Sequence, residues 1–186
     1  MSASTPEFID GAGPERPDGK IEIRDYDPAW PAMFEAVAGR IRTVLGSGAL
    51  AVHHAGSTSV PGLAAKPIID VTLAVADARD EAAYVPPLQA AGFRFVVREP
   101  DWFEHRLFKA DAPKVNLHVF SDGCSEIARM LRFRDWLRAH PEDRALYEAV
   151  KRDLAARDWA LVQNYADAKT EVVAQIMARA EAGKSG

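Results

Sequence analysis

The sequence predicts an α+β fold, a mixed sheet with flanking helices followed by an all-helical C-terminal stretch. Three observations carry this. Apolar runs at about 49–54, 68–75, 93–97, 105–109 and 115–120 have strand length, and the turn residues between the last three suit antiparallel hairpins. After Asp122-Gly123 the pattern changes to helical spacing and keeps it over Ser125–Ala139, 142–157 and 161–182. Strands that share a sheet while helices are segregated point to α+β rather than to a doubly wound fold.

In chain order, residues 1–19 hold Ser, Thr, Pro, Gly and Asp with little apolar content, the composition of a disordered tail. Ile21-Glu22-Ile23 alternates like a short strand. Asp27-Pro28 offers an N-cap followed by a proline at the first helical position. Trp30, Phe34, Val37, Ile41 and Leu45 then recur at helical spacing, and Gly46-Ser47-Gly48 ends that helix. A strand, a small-residue loop and a second strand follow, up to about Val75. Residues 77–91 read as a helix stopped by Gly92, with Pro86-Pro87 marking a late start or a break. Pro141 stands at the start of the second C-terminal helix. The expected organisation is a tail over 1–19, a core over 20–122 and a helical subdomain over 123–183 packed on the core.

Composition narrows the function classes. A chain of 186 residues can bury a sizeable core. The formal net charge of −4 argues against a dedicated nucleic-acid binder, which carries a basic patch and a high pI. Cys124 is the single cysteine, so no intrachain disulfide forms and a reducing cytoplasm is the expected compartment. No apolar run is long enough to span a bilayer, and the N-terminus lacks the basic-then-apolar pattern of a signal peptide. The expected partner is a small molecule, with neither membrane nor nucleic acid involved.

Residues with chemical potential gather in His54-Ala55-Gly56-Ser57-Thr58-Ser59-Val60-Pro61-Gly62-Leu63-Ala64-Ala65-Lys66-Pro67-Ile68-Ile69-Asp70. Strands on both sides make this loop a positioned one. Gly56 permits close backbone approach, Ser57, Thr58 and Ser59 offer hydroxyl and N–H donors to a phosphate, and Lys66 adds charge. A plain capped turn would use the same residues. The common NTPase phosphate loop is excluded, because it needs Gly-Lys-Ser/Thr at a helix start.

Strand alternation puts Asp70 and Thr72 on one face and Ile69, Val71 and Leu73 on the other; Asn116 and His118 likewise share a face. If the two strands are neighbours, Asp70 and His118 meet as a mixed carboxylate–imidazole pair, suited to Zn, Mn, Fe or Ni more than to Mg alone. The competing role is a pair of buried polar residues satisfied by hydrogen bonds. The expected cofactor is a divalent metal on Asp70 and His118, Mn or Mg first and Zn after them. His54 lies close enough to the loop to act as a base, although a structural hydrogen bond is the simpler role. Arg129, Arg132, Arg134, Arg138, Lys151, Arg152 and Lys169 read mainly as a solvated helical face. Arg132 and Lys151 are the candidates there for clamping an anion.

The segment from His54 to Asp70 resembles the signature of the GrpB-like (UPF0157) family. Similar too are Asn116-Leu117-His118-Val119-Phe120, Phe133-Arg134-Asp135-Trp136-Leu137-Arg138-Ala139-His140-Pro141-Glu142, the stretch 147–151, and Tyr165-Ala166-Asp167-Ala168-Lys169-Thr170. The resemblance covers about 21–178 and implies a nucleotidyltransferase-like fold of the DNA polymerase β type. That superfamily uses a Gly-Ser turn, two acids at alternate strand positions and a third acid on a later strand. Gly56-Ser57 matches the turn and Asp70 the first acid. Thr72 stands at the second acid, and His118 stands in for the third. Two Mg²⁺ ions need several carboxylates, so the resemblance implies a departure from ordinary two-magnesium chemistry. Family members also occur fused to dephospho-coenzyme A kinase. Three functions compete. One is nucleotidyl transfer to a small acceptor with His54 as base. The second is another metal-assisted reaction using Asp70, His118 and His54. The third is a non-catalytic binder of a nucleotide or phosphorylated metabolite.

Overall fold

The computed structural model describes residues 6–9, 11 and 13–183. Its elements run β1 (Glu7–Phe8), α1 (Trp30–Leu45), β2 (Ala51–Ala55), β3 (Ile69–Val75), α2 (Val85–Ala90), β4 (Arg94–Glu99), β5 (His105–Asp111), β6 (Lys114–Ser121), α3 (Ser125–Ala139), α4 (Pro141–Ala155), α5 (Val162–Asp167) and α6 (Thr170–Ala182). The strands form one sheet in the order β1-β4-β5-β6-β3-β2. The β3–β6 pair is parallel and the other pairs are antiparallel, so the sheet is mixed and the fold is α+β as the sequence predicts.

Alternation along the parallel pair β3 and β6 gives the sheet two unlike faces. Ile69, Val71, Leu73 and Val75 of β3 join Val115, Leu117 and Val119 of β6 in the main core. The apolar stripe of α1 covers this face with Trp30, Phe34, Val37, Ala38 and Ile41. The opposite face carries Asp70, Thr72 and Ala74 beside Asn116, His118 and Phe120. There α3 covers only the apolar end, setting Ile127, Met130 and Leu131 against Ala74 and Phe120. The helices α3, α4 and α6 pack through Leu137, Tyr147, Val172 and Ile176, and they grip Val60 and Leu63 of the loop after β2. The polar end of the face is thus bordered by that loop and by α4.

Four sequence expectations change. Within the tail expected at 1–19, Glu7–Phe8 pairs with β4, and the Glu15 carbonyl accepts the Val162 N–H. Backbone pairing, which composition does not reveal, holds this segment; residues 1–5, 10 and 12 lie outside the described residues. Ile21-Glu22-Ile23 is not a strand, and Arg24 alone bridges Ala65. The helix expected at 77–91 is a 3-10 turn at Glu81–Ala83 followed by α2, because Pro86 and Pro87 lack N–H groups and fit only a first helical turn. The helix expected at 161–182 is split between α5 and α6. No proline or glycine marks the split, so the periodicity runs through it.

Candidate active site

Gly56 ends β2 with φ +64° and ψ −173°, a conformation that glycine adopts almost alone. The position is also crowded. A Cβ built there would lie 2.2 Å from Asp70 Oδ2 and 2.9 Å from Asp70 Cβ. Ala55 pairs with Asp70 across the ladder, so the chain leaves the sheet directly over the carboxylate. The following residues form a 3-10 turn, Ser57–Ser59.

This turn uses most of its own hydroxyls. Ser59 Oγ donates to the Gly56 carbonyl at 2.5 Å, and Thr58 Oγ1 contacts His54 Nε2 at 3.1 Å and the Ile68 carbonyl at 3.3 Å. Both side chains are buried. Thr58 and Ser59, expected as phosphate donors, therefore hold the loop in shape. Ser57 is less buried than either of them.

His54 also takes a different place from the one expected. Its register partner is Val71, so it points to the apolar face, away from Asp70. Its ring stacks on Phe34 at 4.6 Å, and burial pushes its pKa down to about 4. It is a neutral packing residue tied to Thr58, not a base in the cleft. Arg134 and Arg138 of α3 clamp the same segment from outside, donating to the His54 and Ser59 carbonyls. Arg132 points elsewhere. It faces Glu181 at 3.6 Å and lines a separate hollow with Trp136 and His140.

Asp70 and His118 do come together. Asp70 Oδ1 accepts from Asn116 Nδ2 at 2.9 Å and lies 4.0 Å from His118 Nε2. The two side chains are 28% and 21% exposed, so this end of the face is reachable. Burial disfavours the charge on Asp70, yet its carboxyl lies below the usual range, the Asn116 amide and the field of Lys169 favouring the ionised form. Thr72, at the position of the superfamily's second acid, is fully buried with Oγ1 3.9 Å from Met130 Sδ. Helix α3 closes that position to the cleft.

Three lysines lie within the field of Asp70. Lys151 of α4 is 2% exposed, donates to the Ala64 carbonyl and lies over the Tyr147 ring. Burial, reinforced by Lys169, lowers its pKa to about 7. Lys169, at the start of α6, sits over the Tyr165 ring at 4.4 Å, and burial lowers its pKa to about 8. Burial lowers Lys66 as well. The neighbouring acids are committed elsewhere. Glu148 accepts from the Ala64 N–H and Arg152, and Glu15 pairs with Lys109. The Tyr165 hydroxyl is buried with no hydrogen-bond partner among the described residues.

Beyond His118 the polar row continues across the sheet. His118 Nδ1 contacts His105 Nε2 at 3.0 Å, and His105 Nδ1 contacts Glu99 Oε2 at 2.7 Å. His105 is 3% exposed, and burial lowers its pKa to about 4. Sequence reasoning missed Glu99, His105 and the inward turn of Lys169. The hairpin register was the available signal for His105, since it places His105 and His118 on one face.

Among the described residues no group of three or more His, Cys, Asp or Glu side chains is set to hold a metal ion, and no helix is long and apolar enough to cross a membrane. One carboxylate and one imidazole across 4.0 Å fit a single borderline divalent ion. They do not fit a pair of magnesium ions.

Residues 20–179 match the family model described as GrpB protein. The chain is 58% identical over 165 residues to a UPF0157 protein of Halalkalibacterium halodurans, covering 89% of this chain and 85% of that one. It is 33% identical over 163 residues to a dephospho-CoA kinase of Mycolicibacterium paratuberculosis, covering 74% of this chain and 40% of the kinase. The fold is similar to the crystal structure of the conserved protein GrpB from Enterococcus faecalis, with a TM-score of 0.77, 28% identity, and coverage of 89% of this chain and all of that one.

Proposed function

The chain belongs to the GrpB family, and from that premise we propose that its cleft binds a nucleotide or another phosphorylated small molecule and transfers a nucleotidyl group from it to a small acceptor. The observation that carries this is the lysine set. Lys66, Lys151 and Lys169 share the field of one aspartate, and burial lowers the pKa of Lys151 to about 7 and of Lys169 to about 8. A polyanion relieves that arrangement, because each ammonium regains a charged partner. Ser57, half-buried in the turn over Asp70, supplies a neutral donor. Coenzyme A precursors belong in the ligand set, since a relative's name is dephospho-CoA kinase.

In this reading Lys151, Lys169 and Lys66 hold the phosphates and neutralise charge that develops on them in transfer. Asp70 and His118 would hold a divalent ion, whose chemistry is Lewis-acid polarisation of a phosphoryl oxygen. Manganese suits the mixed donors better than magnesium. Gly56 keeps the loop against Asp70 so that ligand and carboxylate share one space. A silent binder is the second reading, favoured by the burial of Thr72 under Met130, which leaves no second acid.

Calorimetry with ATP, CTP, GTP, UTP and coenzyme A precursors, with and without Mn²⁺ or Mg²⁺, tests the binding. We expect saturable heats for at least one of them. The pH dependence has a definite sign. The lysines hold an anion while protonated, so affinity is greatest below about pH 7 and falls as pH rises through about 8. Binding near pH 8 should take up protons, visible as a dependence on buffer ionisation enthalpy. Flat heats for every ligand at both ends of that range would remove the proposal.

Asp70→Asn separates the two readings. It deletes the one metal-binding charge while keeping the shape and the Asn116 contact. Turnover of labelled nucleotide should fall by at least about 10²-fold, with phosphate affinity largely kept. Undiminished turnover would overturn the metal-assisted mechanism. Absence of turnover in the unmutated protein, with binding intact, would establish the silent binder.

A further inference from the structure

We propose that Glu99 and His105 are positioning residues which fix His118 as its Nδ1–H tautomer, so that Nε2 presents a lone pair to Asp70 and the cleft. The inference deepens the reading above, in that it takes His118 as a cleft residue. It adds two residues that lie outside the cleft and outside every motif.

Four adjacent strands build the row. Glu99 pairs with His105 between β4 and β5, and His118 of β6 pairs with Thr72 of β3. His118 also stands opposite Leu107, two residues after His105, so both rings project from the same face. The contacts are short at both joints, 2.7 Å from Glu99 to His105 and 3.0 Å from His105 to His118. The last step, from His118 Nε2 to Asp70 Oδ1, is open at 4.0 Å.

Donor and acceptor bookkeeping gives the direction. An ionised carboxylate only accepts, so His105 Nδ1 carries a proton and donates to Glu99. In neutral His105 the other nitrogen, Nε2, is then an acceptor. The partner facing it, His118 Nδ1, must donate. Neutral His118 is left with a bare Nε2, the nitrogen turned to Asp70. Each ring's tautomer follows from the hydrogen bond its other nitrogen makes.

The surroundings keep this row in place. His105 lies between Trp102 at 4.9 Å and Phe120 at 4.8 Å, which shield its ring from water. Trp102 comes from the turn joining β4 to β5. That turn holds Phe103 and Glu104 at φ +55° and +52°, a left-handed pair without glycine. Non-glycine residues keep such conformations when packing over-determines them. Here the turn leaves Glu99 opposite His105 and brings Trp102 edge-on to its ring, the planes 81° apart.

The test is nitrogen NMR of the ligand-free protein at about pH 8, with ¹⁵N-labelled histidine and two-bond proton correlations. His118 should show a protonated Nδ1 and a pyridine-type Nε2. Glu99→Leu should move His118 toward the Nε2–H form, and Glu99→Gln, whose amide oxygen still accepts, should restore the original pattern. Manganese affinity, read by paramagnetic relaxation, should fall by about 10–100-fold in Glu99→Leu and recover in Glu99→Gln. Should Glu99→Leu fail to fold, His105→Phe removes the acceptor while filling the space between Trp102 and Phe120. An Nε2–H form of His118 in the unmutated protein would overturn the inference outright. So would an unchanged tautomer in a folded Glu99→Leu or His105→Phe protein. The tautomer is read without nucleotide, so a protein that binds no nucleotide yet shows the Nδ1–H form contradicts the proposed function and leaves this inference standing.

Discussion

Gly56→Ala destabilises the fold by about 2–4 kcal/mol, roughly 5–15 °C in melting temperature for a chain of this size. Two costs add. The backbone conformation, φ +64° with ψ −173°, costs a residue with a Cβ about 1–3 kcal/mol. The methyl group also lands 2.2 Å from Asp70 Oδ2, so the loop or the carboxylate must move. Neither gives easily. Ala55 is paired to Asp70, and the Ser57–Ser59 turn is tied down by Ser59 Oγ and by Arg138 on the Ser59 carbonyl. The variant should therefore lose ligand affinity as well as stability. Urea denaturation followed by circular dichroism checks the first effect, and calorimetry with the ligand found for the unmutated protein checks the second. A melting temperature within a degree of the unmutated protein would mean that the loop has another conformation available. Gly62, at φ +76° with open space around it, is the control, since alanine there meets only the backbone term.

The contrast between these glycines marks what the sequence could convey. The Gly-Ser segment was legible as a loop between strands, and alternation alone grouped Asp70 with Thr72 on one strand and Asn116 with His118 on the other. Their juxtaposition was expected on the condition that the strands are neighbours and through the family resemblance, not from any local signal. β3 and β6 are parallel neighbours separated by β4 and β5, and no local signal fixes the pairing of strands so distant in sequence. His54 shows the opposite failure. Nearness in sequence to the loop suggested chemistry, yet one step along a strand reverses the face, and His54 stacks on Phe34 beneath the sheet. Thr58 and Ser59 had the right chemistry for a phosphate, but burial gave their hydroxyls to the loop itself. Lys151 and Lys169 were the hardest to read. On a helix rich in charge a lysine ordinarily faces water, and only the packing of α4 against the loop turns Lys151 inward onto the Ala64 carbonyl.

Lys151→Met makes the protein more stable at neutral pH and less able to bind an anion. Burial holds the Lys151 pKa at about 7, against 10.5 for an ordinary lysine. Between those values the unfolded chain carries a proton that the native site gives up. Stability of the unmutated protein therefore rises with pH from about 7 towards 10, and the full penalty applies below 7. Methionine has similar length and no charge to desolvate, so it removes the penalty. Against this, the Ala64 carbonyl loses its donor, a cost of about 1 kcal/mol. The pKa displacement is the larger quantity, and the variant should gain about 1–3 kcal/mol at pH 7. Its stability should change less between pH 7 and 9.5, with Lys169 leaving a residual slope. The binding loss runs the other way. One charge-assisted hydrogen bond of about 1.5–3 kcal/mol corresponds to roughly 10–150-fold in affinity for a phosphate ligand. Thermal melts across that pH range and calorimetry at pH 7 measure both effects on one variant. A protein that is less stable at pH 7 and binds as before would show Lys151 to be a structural prop for the Ala64 carbonyl. Gain of stability with loss of binding is the signature of a residue whose burial serves the ligand.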